Sequence, residues 1–146
     1  MAKAVYFKGQ ITTNSKQHKK HYTQMTEQEL NYLIGKVKQI PRTHLARGHA
    51  ADKFELYDIP KNYVNTVLSS LTKDNIIEYN TGRWDKERRV TLHCDDIIEC
   101  ENGELVNASF VIDLDTYEVV TIWVNSIYDK HDNVNMTYYD ENLKIL

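Results

Sequence analysis

The second half of the chain constrains the fold most. Four segments, "NIIEYN" (75–80), "RRVTLHC" (88–94), "LVNASFVIDL" (105–114) and "EVVTIWVN" (118–125), are rich in β-branched and aromatic residues and alternate in polarity. That is the period of a pleated strand with one face buried. Polar turns separate them. Asn102-Gly103 is a strong hairpin signal, and "DLDTYE" (113–118) reads as a second turn. Consecutive strands joined this closely pair antiparallel, as a meander. Alternation assigns Val90, Leu92, Val120, Ile122 and Val124 to the core face. Arg89, Thr91, His93, Thr121 and Trp123 then share the opposite face.

The first half reads as helical. Thr26 precedes Glu29 by three positions, the spacing of a capping box, and Leu30, Leu33, Ile34, Val37 and Ile40 follow on one helical face. Pro41 ends that helix. In a second helix Asp58 caps, Pro60 occupies the first turn, and Tyr63, Val64, Val67, Leu68 and Leu71 form the apolar stripe. "AVYFKGQI" (4–11) is a further candidate strand. Residues 12–23 read as a basic loop or mobile arm, and 126–146 as an acidic tail. The expectation is one α+β domain over residues 1–146. Two N-terminal helices pack on one face of an antiparallel meander of about four strands.

Composition narrows the setting. At 146 residues the chain suits one domain with its own core. No apolar run approaches the roughly 20 residues of a spanning helix. The N-terminus lacks the apolar stretch of a secretory signal, so a cytoplasmic protein with Cys94 and Cys100 as free thiols is expected. Abundant Asn, Lys, Ile and Tyr fit an AT-rich genome, that of a low-GC bacterium, its phage or a plasmid. The net charge of −3 hides a gradient: residues 1–50 hold nine Lys/Arg against two acids, 51–100 seven against ten, and 101–146 two against nine. A basic surface backed by a repelling acidic one suits nucleic acid. If the halves interleave in space, they neutralise each other instead.

The stretch "PRTHLARGHAADKF" (41–54) gathers two histidines, two arginines and a glycine in a chain with only five glycines. RNA cleavage through the 2′-hydroxyl needs a base, an acid and a cation for the phosphate charge that develops. His44 and His49, with Arg47 and Arg89, supply those groups without a metal or other cofactor. Arg89 offers a planar fork for phosphate oxygens, His93 a titratable imidazole and Trp123 a stacking surface for a base. Lys16, Lys19, Lys20 and Arg42 add sequence-independent phosphate contacts. His93 and Cys94 are poor joint zinc ligands, because neighbouring strand residues point to opposite faces. Asp95-Asp96 and the Asp113/Asp115 pair sit beside turns, where aspartate is favoured for local hydrogen bonding.

The order of elements, together with His44, Arg47-Gly48, Val64, Val67-Leu68, "IIEY" (76–79), "RRV" (88–90) and "VVT" (119–121), resembles the RelE-like and DUF4258-like superfamily of small bacterial endoribonuclease toxins over roughly residues 26–125. The resemblance implies a metal-independent RNase fold with His44, Arg47, Arg89 and Thr121 near the cleft. The chain departs from the pattern by about ten extra residues between Gly48 and the second helix. It also departs in its basic N-terminal segment and its acidic tail. The leading expectation is RNA binding with metal-independent cleavage. Two alternatives are a non-catalytic inhibitor that meets a host protein through its acidic surface, and a nucleotide-sequestering protein in which Trp123 and Arg89 take base and phosphate.

Overall fold

The computed structural model describes residues 18–82, 84–99, 103–128 and 135–146. "AVYFKGQI", Lys16, Cys100 and Asn102 lie outside them. Among the described residues the chain runs β1 (Lys19–His21), α1 (Glu27–Lys38), β2 (His44–Leu45), α2 (His49–Leu56), α3 (Tyr63–Val67), β3 (Ile76–Asn80), β4 (Arg89–Glu99), β5 (Leu105–Asp113) and β6 (Glu118–Ser126). The strands form one sheet in the order β1-β3-β4-β5-β6-β2. The α+β class is as expected, but the described residues hold three α-helices and six strands rather than two and about four. No described helix is long and apolar enough to cross a membrane.

The four meander strands stand where alternation puts them. The capping box of α1 forms in full: Glu29 N–H donates to Thr26 Oγ1 (3.1 Å) and Thr26 N–H to Glu29 Oε1 (2.9 Å). Leu33 and Val37 face the sheet. The additional elements are short and polar. Lys19–His21, read as part of a mobile arm, pairs antiparallel with β3. His44–Leu45 pairs parallel with β6 at the opposite edge.

Helix α2 occupies part of the stretch 41–54, where no helix was expected. Gly48 opens it with φ 73 and no side-chain cap. Asp58, expected to start the next helix, closes this one instead. It sits at φ 55. Its N–H donates to Glu55 O, and Ile59 N–H donates to Phe54 O. This is a Schellman closure with Ile59 and Phe54 both buried. The following helix is a single α-turn, Tyr63–Val67, continued as a 3-10 turn through Ser70.

One core joins the three helices to the sheet through Val90, Leu92, Phe110, Ile112, Val119 and Ile122. Val120 was expected there and is replaced by Val119. On β5, Val111 pairs with Thr121 and the next residue, Ile112, with Val119, so Val120 is an extra residue. The bulge shifts the alternation by one between Val119 and Thr121. Val124 packs at the core margin. A second bulge sets Asp95–Ile97 of β4 opposite Asn107. "DDII" therefore continues the strand, and Asp95 and Asp96 project from a bulge instead of flanking a turn.

Candidate functional site

Register assigns the sheet face opposite the helices. From β4 to β6 it carries Arg89 beside Asp113, then the row Thr91–Val111–Thr121, then the row His93–Ser109–Trp123. Cys94 points the other way and is buried in the core, so it and His93 share no ligand position. Tyr139, Asp140 and Leu143 of the tail contact β1, at the far edge of the sheet from β6 and Trp123.

Arg89 is already engaged. Its Nε donates to Asp113 Oδ2 (3.3 Å) and its Nη2 lies 3.4 Å from Glu87 Oε2. Burial raises the pKa of Asp113, but the N–H groups of Thr116 and Asp115, together with Arg89, outweigh burial and hold the carboxyl below the usual carboxylate range. Asp113 thereby fixes the β5–β6 turn. Its stabilisation is present above the unfolded pKa, near 3.8, and is lost as pH falls through the lower folded value. Asp113→Asn is expected to cost roughly 1 kcal/mol at pH 7. In urea melts at pH 7 and pH 3, the difference between variant and wild type should shrink at the lower pH. An equal difference at both would reject a charged Asp113 as its source.

His44 stands on β2, three strand steps from β4. At neighbouring-strand spacing that is about 14 Å. Its Nε2 lies 4.0 Å from Glu118 Oε2, and both side chains are solvated. Glu118 and Asp113 therefore lie between His44 and Arg89. One phosphodiester touching both side chains would have to cross two carboxylates. Thr121 lies two strands from Arg89, on the same face.

Sequence reasoning missed Ser109. Its Oγ is 2.8 Å from His93 Nδ1, and His93 Nε2 is 3.4 Å from Asp95 Oδ1. A serine, an imidazole and a carboxylate are thus aligned. Ser109 itself stands on a central strand, paired with His93 of β4 on one side and Trp123 of β6 on the other. The two contacts hold the imidazole between Ser109 and Asp95. Only the β4–β5 register brings Ser109 to His93, and a strand pattern alone does not encode register.

The lysines divide. Lys20 is 6% exposed, and its ammonium donates to both oxygens of Glu29 (3.1 and 3.0 Å) and to Leu143 O (3.2 Å). It faces inward and holds the fold together. Lys19 lies over the Tyr139 ring, 4.6 Å from the centroid. Arg42, Arg47 and His49 remain exposed around β2 and the start of α2, with no carboxylate at ion-pair distance among the described residues. No protein-family model, curated protein or solved structure matches the chain.

Proposed function

We propose that the protein binds single-stranded RNA through the Arg42–His49 edge, with the adjoining sheet face and its half-buried Trp123 as a stacking surface. One observation carries this reading: three cationic or titratable side chains, Arg42, Arg47 and His49, lie within eight residues, solvent-facing and unneutralised by described carboxylates. Exposed cations of this kind release counterions when they meet phosphates. The start of α2 adds backbone N–H groups that no side chain caps. Resemblance to small endoribonuclease toxins points to the same ligand class. The reading is binding without cleavage, because His44 and Arg89 are separated and Arg89 is held by two carboxylates.

Binding of a labelled single-stranded RNA oligonucleotide, measured by anisotropy across a salt series, tests this. Arg42→Ala/Arg47→Ala should weaken binding about tenfold and lower the slope of log K against log salt by about 1.4, at roughly 0.7 per phosphate contact. An unchanged slope rejects the site. If the oligonucleotide is cut, and cutting vanishes in both His44→Ala and Arg89→Ala, the ribonuclease reading stands after all. A second reading is favoured by the β4 bulge, which turns Asp95 and Asp96 outward beside exposed Glu99. A basic partner protein could meet that acidic patch. Absence of RNA binding, with retention on a basic protein surface that Asp95→Asn/Asp96→Asn abolishes, selects it.

A further inference from the structure

The C-terminal segment is fastened to the outer edge of β1, and a buried imidazole sits under the fastening. Asp140 N–H donates to Lys19 O (2.8 Å), and Tyr139 Oη donates to Glu78 Oε1 (2.5 Å). Beyond them, Leu143 O accepts from Lys20 and Ile145 enters the core. His21 is 6% exposed. Its ring meets Tyr139 edge-on at 5.1 Å and leans on Tyr22 at 4.6 Å. Thr23 N–H donates to His21 Nδ1 (3.3 Å), with Thr23 Oγ1 2.8 Å away. An Nδ1 that accepts from a backbone N–H carries a lone pair, and that contact fits a neutral ring with its proton on Nε2.

We propose that His21 and residues 136–146 form an acid-labile clasp, in which protonation of the imidazole releases the C-terminal segment from the edge of the sheet. A proton on Nδ1 removes the acceptor that caps the Tyr22–Gln24 turn: the new N–H turns to Thr23 Oγ1, and Thr23 N–H is left facing a donor. It also puts a charge into a buried site. The groups facing the ring are Lys19, which opposes that charge, Glu78 across β3, which favours it, and the neutral Tyr22, Thr23, Gln24 and Tyr139. The Asp140 carboxylate is turned to Asn142 N–H. Burial is the largest influence and, with Lys19, outweighs Glu78, so the imidazole titrates below the ordinary 6.5. The folded pKa lies under the unfolded one, so the clasp weakens as pH falls through that interval. Its release uncovers β1, whose outer backbone groups are then open to another strand. The device is independent of the RNA-binding reading.

NMR of the full chain from pH 7.5 to 5 tests it by following the His21 ring signals and the backbone heteronuclear NOE of residues 139–145. The NOE values should fall together, with a midpoint below 6.5 matching the His21 titration. In His21→Phe, and in His21→Gln should the first variant fold poorly, they should stay high throughout. The proposal is overturned if His21 takes up its proton while residues 139–145 stay ordered. It is equally overturned if the ring stays neutral to pH 5, or if the variants release the segment at the same pH as wild type.

Discussion

Glu29→Ala is expected to lower stability by about 4 kcal/mol, read as a shift of the urea midpoint at neutral pH. Two mechanisms act at one carboxylate. Oε1 accepts from Thr26 N–H and closes the capping box of α1, a contact worth about 1 kcal/mol. Both oxygens also neutralise Lys20, whose side chain and that of Glu29 are 7% and 12% exposed. Removing one partner of a buried ion pair costs about 3–5 kcal/mol, because the other charge stays desolvated. The loss spreads beyond α1, since Lys20 also holds Leu143 O and joins β1, α1 and the C-terminal segment. Glu29→Gln separates the mechanisms. Its amide oxygen still caps Thr26 while the ammonium is stranded, so its cost should be about 1 kcal/mol smaller. Adding Lys20→Met to Glu29→Gln removes the stranded charge and should restore much of the stability, a coupling that a double-mutant cycle measures directly. A cost for Glu29→Ala below about 1 kcal/mol would show that the pair contributes nothing net.

The fate of Lys20 shows where the sequence was legible and where it was not. "KKHY" carries no apolar pattern, and two lysines with a histidine read as a solvated arm. The strand exists because Lys20 buries its stem and finds Glu29, and that partner is visible only in three dimensions. The capping box was legible because its information is local: a hydroxyl and a carboxylate three residues apart satisfy each other wherever the helix goes. The meander strands were legible through their alternation, yet Val119 and Val120 are chemically identical, and no local signal says which one a bulge turns inward. At the candidate site the exposed cations of residues 42–49 could be named in advance. The carboxylates that occupy Arg89 could not, because Asp113 reaches it across a strand register and Glu87 from the preceding loop.

Helix α2 was legible in principle. Ala50 and Phe54 are one helical turn apart, both are fully buried, and Asp58 and Ile59 complete a closing motif. The histidines and the glycine drew the reading toward a catalytic site instead. Phe54→Ala is expected to cost about 4 kcal/mol, as deletion of a buried phenyl ring leaves a cavity in a core of fixed packing. Phe54→Leu, which keeps most of the volume, should cost only about 1 kcal/mol. An eight-residue helix with no side-chain cap at its start has little stability of its own. Its order must come from this burial and from its packing beside β6. Hydrogen exchange in Phe54→Ala should therefore show residues 49–57 losing protection ahead of the meander strands. Because Arg47 and His49 are displayed by the start of that helix, the proposed RNA binding should weaken in the same variant although Phe54 reaches no solvent. A Phe54→Ala protein with native protection in 49–57 would mean that β2 and the flanking turns, rather than the core, hold the cationic edge in place.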